Sequence, residues 1–401
     1  MADSGDPAGA RERVVNGDRS AAGPADGSAA EPTMEAGSPT DAPGSAGRGE
    51  ATGDARTEVG GLLGLGREEL IHVLRLMLLS RRFEEKAAEA YQLGKIGGFL
   101  HLYIGQEAVA AGSITALRPD DYVISAYREH AQALVRGMDP KVAMAELYGR
   151  VDGCSKGKGG SMHLFDRRIN FLGGHAIVGG HIPLATGVGY AIRYRNEDRV
   201  CLCLFGDSAV NIGSFHESLN MAAKWRLPVI FLCENNEYGM GTEYHRVAAV
   251  KELVDRACSY EGMHAASVDG MDVLAMLKAM REAIHIAREE QRPALIEARC
   301  YRYLGHSMAD PSHGTYRTKE EVEREREHDP IVTFFRRLRE AGLVTEEEYA
   351  AMDEELIQEV EEAARFADES PRPEPSALYE DVYAGPYPEI ARRDRWRPEL
   401  E

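Results

Sequence analysis

The stretch VCLCLFGDSAVNIGSFHESLNMAAKWRLPVIFLCENNEYGMGT (200–242) reads as one strand–helix–strand unit. Residues 200–205 are wholly apolar, 214–224 carry a helical pattern, and 228–233 form a second apolar run. Strands that are apolar on both faces belong to parallel sheets covered by helices, which makes the fold class α/β. In such sheets ligands bind beyond the carboxyl ends of the strands. Two polar clusters fall there: Gly206-Asp207-Ser208-Ala209 after the first strand, and Glu234-Asn235-Asn236-Glu237-Tyr238-Gly239 after the second. Neighbouring parallel strands would bring Asp207 and Asn236 together although 29 residues separate them. A carboxylate, an amide oxygen and a nearby backbone carbonyl are hard oxygen donors, suited to Mg²⁺ shared with a ligand's phosphates. A helix starting near Gly213 would aim its N–H groups the same way. Capping of a helix and a turn would account for Asp207 and Asn236 equally well.

Outward from this unit, a helical period begins at Arg67 and should stop at Gly97-Gly98. Further helices are expected over 106–117, 140–148, 184–195 and 271–290, with a strand over 294–299. Beyond Asp329 the pattern is helical: Tyr349, Met352, Leu356, Val360 and Ala363 or Ala364 recur at helical spacing until SPRPEP (370–375) ends the run. The expected organisation is a tail over 1–60, an α/β domain over 61–330 and a helical extension over 331–401 packing on that domain. The tail is rich in Gly, Ala, Ser and Pro, with 11 acidic and 5 basic residues and no aromatics. Such a segment buries too little apolar area to offset the entropy of ordering, so disorder is expected. It lacks the apolar stretch of a secretory signal and the arginine-rich, acid-poor character of a mitochondrial presequence. A bacterial cytoplasm is the expected compartment.

The formal charge of −19 argues against nucleic-acid binding, and no apolar run is long enough to span a bilayer. The 6 cysteines include no CxxC and suit reduced core thiols, with Cys201 and Cys203 on one face of a strand. Ser155-Lys156-Gly157-Lys158-Gly159-Gly160 looks like a phosphate loop but lacks the Walker spacing, so it reads as a flexible lid or interface loop. Gly61, Gly64 and Gly66 follow no strand, which excludes a dinucleotide fingerprint. No HExxH occurs.

The segment 206–242 resembles the thiamine-diphosphate motif, with its Gly-Asp opening and Asn-Asn close. FLHLYIGQEA (99–108), SAYREH (125–130), KGKGGSMHLF (156–165), VDGMDV (268–273) and YRYLGHSMADP (301–311) resemble one branch of that family. It is the alpha subunit of the pyruvate dehydrogenase decarboxylating component, within the thiamine-diphosphate-dependent 2-oxoacid dehydrogenases, and the likeness runs from about 68 to 390. The resemblance implies a thiamine-diphosphate-binding fold in which Asp207, Asn236 and the Tyr238 carbonyl hold Mg²⁺. Tyr127, Arg128, His306 and the backbone at Ser208-Ala209 would contact the diphosphate, and Ala176 and Val178 the aminopyrimidine. His101 would lie beside the reacting 2-oxo acid, with His306 as its catalytic companion. The implied reaction is decarboxylation of pyruvate on the cofactor and transfer of the two-carbon unit to the lipoyl arm of a dihydrolipoyl acyltransferase.

The glutamate that activates the aminopyrimidine comes, in this family, from a beta subunit, so an assembly of two alpha and two beta chains is implied. Ser208 stands where the family has glycine and Ala176 where glycine is common. A side chain at 208 would crowd the diphosphate if that position required positive φ. His175 and His181 stand where neutral amides are frequent and read as loop histidines with solvent or backbone partners. Ser307 lies in a loop that mitochondrial relatives phosphorylate; unmodified, Ser307 and Asp310 would order that loop by hydrogen bonding. Rival readings are a sister enzyme for branched-chain 2-oxo acids or acetoin, and a non-catalytic scaffold subunit.

Overall fold

A computed structural model describes residues 64–382; the expected tail over 1–60 and the last part of the expected 331–401 extension lie outside them. The chain opens with α1 (Arg67–Gln92) and α2 (Glu107–Ile114), followed by β1 (Tyr122–Ala126), α3 (His130–Arg136) and α4 (Pro140–Leu147). After a glycine-rich loop come β2 (Phe171–His175), α5 (Ile182–Tyr194), β3 (Cys201–Gly206), α6 (Gly213–Trp225) and β4 (Val229–Asn235). A two-stranded antiparallel hairpin, β5 (Tyr238–Gly239) and β6 (Thr242–Glu243), leads to β7 (His264–Asp269), α7 (Val273–Glu289) and β8 (Ala294–Arg299). Three helices close the described chain: α8 (Lys319–Arg326), α9 (Pro330–Glu340) and α10 (Glu346–Glu369).

Six strands form one parallel sheet in the order β2-β1-β3-β4-β8-β7. The apolar runs that marked β3 and β4 are buried on both faces, and alternate residues serve two cores. Leu202, Leu204, Ile230 and Leu232 join the core under α1, α2 and α7. Cys201, Cys203, Phe205, Val229, Phe231 and Cys233 join the one under α5 and α6. Helices therefore cover both faces, the arrangement that continuous apolar strands demand. The six cysteines are free thiols, and Cys201 and Cys203 are packed in the second core.

The first helix is shorter than its pattern. It ends at Gln92 because Gly94 takes φ +72°, and the Gly94 and Lys95 amides turn back to the Tyr91 and Ala90 carbonyls. A glycine in that left-handed position closes helices readily. Gly66 belongs to the other end, as the N-cap of α1, where its N–H donates to Glu69 Oε2 at 2.8 Å. The helix α10 starts with a capping box between Thr345 and Glu348, and its Leu356, Val360 and Ala363 complete the core beside α1 and α4.

The strand order reverses between β1 and β3. From β1 the chain moves outward to β2, then returns across β1 to build β3, β4, β8 and β7. A crevice opens at such a switch point, beyond the carboxyl ends of the two strands.

Candidate active site

The crevice is a pocket lined from four strand ends. Ala126 ends β1 and Tyr127 and Arg128 follow it; Gly206 ends β3 and Asp207, Ser208 and Ala209 follow it; Glu234, Asn236, Tyr238 and Gly239 come from the end of β4 and the hairpin; Arg302 and His306 follow β8. Val178 and Gly179 enter from the segment after β2, and Gln106 from the start of α2. Ala176 sits directly after β2 and outside the lining. Gly213 also lies outside it: a 3-10 turn, Asp207–Asn211, is interposed, so this turn rather than the α6 terminus faces the pocket.

Asp207 is 3% exposed, and burial pushes its carboxyl up to about 6 although the Asn236 backbone amide donates to it. The Asn236 side chain has a fixed orientation: its Nδ2 donates to Gln106 Oε1 at 3.0 Å, which turns Oδ1 toward Arg302. Arg302 Nη1 donates to that Oδ1 at 3.2 Å and to the Tyr238 carbonyl at 3.4 Å. A buried cation thus already sits on two of the three oxygens assigned to a metal. The donor set is hard oxygen with one carboxylate, and it fits a small divalent cation that shares its coordination with phosphates.

Arg128 does something the sequence did not disclose. Its Nη1 donates to the Leu102 carbonyl at 2.6 Å and its Nη2 to the His306 carbonyl at 2.7 Å. It therefore ties together the two segments that carry His101 and His306, while burial holds its pKa down near 10. The His101 ring lies 4.7 Å from that of Tyr127 and 5.1 Å from that of His306, centroid to centroid. Burial, reinforced by Arg128 and by the other imidazole, lowers His101 to about 3; burial and the two arginines lower His306 to about 4. Both rings are neutral at neutral pH. Each has a buried Nδ1 with no partner within the described chain. His101 stands behind Tyr127 and His306 rather than in the lining itself.

The residue at 208 has ordinary backbone geometry. Ser208 is absent from the positive-φ residues and lies second in the 3-10 turn, with its Oγ 3.4 Å from Asp207 Oδ2. The condition under which it would crowd a diphosphate is not met. His181 is fully buried, lines the pocket, and its Nε2 donates to the Leu204 carbonyl at 2.8 Å; His175 stacks on it and bonds the Leu172 carbonyl at 3.3 Å. Ser307 donates both N–H and Oγ–H to Asp310 Oδ2 at 2.9 Å.

The loop resembling a phosphate cradle is not a free lid. The Glu146 carboxylate, from α4, accepts the backbone N–H groups of Ser155, Gly157, Gly159 and Gly160 at 2.8–3.1 Å. An internal carboxylate occupies the anion nest. Gln106, Arg302, Glu234 and His181 are polar pocket residues to which the sequence assigned no function. Arg302 was foreseeable in part, since the expected strand over 294–299 delivers it to the same sheet edge as Asn236. Glu234 is held by Tyr103 Oη and by Gln132 Nε2, and burial raises it to about 7.

A parallel sheet with a carboxylate, an amide, a carbonyl and two arginines gathered at its switch point defines the ligand pocket of an α/β enzyme. The model of the dehydrogenase E1 component family matches residues 75–376, and the chain belongs to that family, whose members depend on thiamine diphosphate. It is 48% identical over 317 residues to the pyruvate dehydrogenase E1 component subunit alpha of Rhizobium meliloti, covering 79% of this chain and 90% of that one. The Zymomonas mobilis subunit of the same name is 47% identical over 323 residues, with 80% and 90% covered. The human somatic mitochondrial form is 42% identical over 334 residues, with 83% and 84% covered. Among the described residues no helix is long and apolar enough to cross a membrane.

Proposed function

We propose that this chain is the alpha half of a two-chain enzyme that decarboxylates pyruvate and passes the acetyl unit to the lipoyl group of a dihydrolipoyl acyltransferase. The observation that carries the reading is the convergence of Asp207, Asn236 and Tyr238 at the β3–β4 edge in one crevice with Tyr127 and His306, against whose rings His101 packs. Asp207, Asn236 and Tyr238 would hold Mg²⁺. Tyr127, Arg128, His306 and the amides of Ser208 and Ala209 would meet the diphosphate oxygens, joined by Arg302, where fixed positive groups are strongest. Val178 and the backbone at Ala176 would meet the aminopyrimidine. When bound, thiamine diphosphate supplies the carbon nucleophile and the electron sink for loss of carbon dioxide.

The chain's own residues then set the stage for the 2-oxo acid. Neutral His101 and His306 can each donate one N–H and accept at the other nitrogen, so they can orient a carboxylate or carry a proton without burying a second charge. Arg128 holds the two imidazole-bearing segments at a fixed separation. A beta subunit would complete the site with its own glutamate, in an assembly of two alpha and two beta chains in the cytoplasm.

The test is co-expression with a beta chain, followed by carbon dioxide release from pyruvate, 2-oxoisovalerate and acetoin with thiamine diphosphate and Mg²⁺ supplied. Pyruvate should be preferred. Preference for a branched substrate or acetoin would move the assignment to a sister enzyme. Absence of saturable cofactor binding would leave a scaffold subunit.

A further inference from the structure

A buried Glu–His–Ser chain lies next to the crevice and outside the machinery described above. Glu84 comes from α1, His130 opens α3, and Ser161 follows the glycine-rich loop; they are 1%, 0% and 5% exposed. His130 Nδ1 is 2.9 Å from Glu84 Oε2, and its Nε2 is 2.9 Å from Ser161 Oγ and 3.1 Å from the Ser161 carbonyl. Three polar side chains from distant parts of the chain are thus sealed inside the protein, where each is expensive to desolvate unless fully partnered.

Both ends of the chain finish on the same short segment. Ser161 Oγ accepts the His101 backbone N–H at 3.5 Å, and Glu84 Oε1 accepts the Tyr103 N–H at 3.0 Å. Between them, the Leu102 carbonyl takes Arg128 Nη1. Three consecutive residues are therefore suspended by their main chain. The His101 side chain has only ring contacts, with Phe99, Tyr127 and His306, and its Nδ1 is without a partner within the described chain. The direction of its imidazole is thus set by where the backbone is pinned. Glu84 and the Ser161 carbonyl both raise the His130 pKa against its burial, so Nδ1–H is given to Glu84 and Nε2–H to the Ser161 carbonyl and Oγ. The serine lone pairs then face the His101 amide.

We propose that Glu84, His130 and Ser161 form a positioning relay for His101, fixing its reach toward the 2-oxo acid. This rests on the reading of His101 as the residue that faces the substrate. The relay touches neither the metal oxygens nor the diphosphate contacts, so its loss should spare the cofactor. Misplacement by a fraction of an ångström is enough to lower turnover.

A double-mutant cycle on the alpha–beta complex tests it. Ser161→Ala removes one hydroxyl without stranding a buried charge, unlike a change at Glu84 or His130. It should lower kcat for pyruvate about tenfold while thiamine diphosphate affinity stays within about twofold. In the His101→Ala background, Ser161→Ala should add nothing further, because the relay acts only through that imidazole. Multiplicative losses, an unchanged kcat in Ser161→Ala, or a parallel fall in cofactor affinity would overturn the relay. If His101→Ala alone leaves turnover intact, the substrate-facing reading of His101 fails first, and the relay with it.

Discussion

Arg302 Nη1 lies 3.2 Å from Asn236 Oδ1, and it is the Gln106 side chain on the far side of that amide that makes the oxygen, rather than the nitrogen, face the guanidinium. A cation is therefore stationed where a metal and a diphosphate would meet. Arg302 is 1% exposed, so a methionine can fill most of its volume without leaving a charge behind. Arg302→Met should weaken thiamine diphosphate binding to the alpha–beta complex by about 10–100-fold, the equivalent of ~1.5–3 kcal/mol for a charged hydrogen bond. Calorimetric titration at saturating Mg²⁺ measures this, with far-UV circular dichroism unchanged. Unaltered affinity would remove Arg302 from the diphosphate site.

Asp207 supplies the one carboxylate among the three proposed metal donors. Asp207→Ala should abolish Mg²⁺-dependent cofactor binding and leave the fold intact, since the residue sits at a strand end rather than in either core. Burial raises its pKa to about 6, so protons compete with the metal below that pH. Affinity for Mg²⁺ should be flat above about pH 7 and fall by up to tenfold per unit below 6. Titrations at pH 5, 6 and 7.5 would show it; decarboxylation by the alanine variant at the normal rate would refute the metal assignment.

The legible part of the molecule was the part with period and punctuation. β3, α6, β4 and β8 were readable because their apolar runs are long and bounded, and the C-terminal helix because its stripe is regular. β1, β2 and β7 were not. β2 is Phe-Leu-Gly-Gly-His, whose glycines read as loop, and β7 at the sheet edge alternates with polar residues. The strand ends could be placed from spacing, which located Asp207 and Asn236. Gln106, Arg128's grip on two carbonyls, and the stationing of Arg302 are long-range relationships that no local pattern encodes.

The glycine-rich loop shows the same limit. Its composition suggested a phosphate cradle, but the anion it wraps is Glu146, 0% exposed and accepting four backbone N–H groups. Glu146→Ala would leave those amides without their acceptor and open a void, so destabilisation of at least ~3 kcal/mol is expected. Chemical denaturation gives the magnitude. Limited proteolysis should cut within 153–160 in the variant and not in the parent chain.

His181 predicts a pH effect with a definite sign. Burial lowers its pKa to about 4, against an ordinary value of 6.5, so between these limits the unfolded chain binds more protons than the folded one. Its contribution to stability is complete above about pH 6.5 and is lost as pH falls toward 4. His101 and His306 act in the same direction. His181→Gln keeps a donor for the Leu204 carbonyl and removes one of these titrations. The denaturation midpoint of the variant should therefore drop less between pH 7.5 and 5 than that of the parent. An identical drop would mean that His181 does not titrate in this range.

The serine at 208 is accommodated by a glycine packed directly against it. A Cβ built on Gly239 would lie 1.8 Å from Ser208 Oγ and 3.1 Å from its Cβ, whereas the backbone of Ser208 itself carries no positive φ. The space that the Ser208 side chain fills is thus left by the missing side chain at 239. Gly239→Ala should push the Ser208 hydroxyl away from Asp207 Oδ2, now 3.4 Å distant, and weaken thiamine diphosphate binding several-fold. Ser208→Gly alone should leave affinity within about twofold, because no hydrogen bond to a required geometry is lost. The two changes together should restore binding close to the parent value, since the added methyl group then meets only the Thr242 carbonyl, at an ordinary 3.8 Å. Titration of the three variants decides it: if Gly239→Ala is equally harmful with serine or glycine at 208, the two positions are not in contact in the working enzyme.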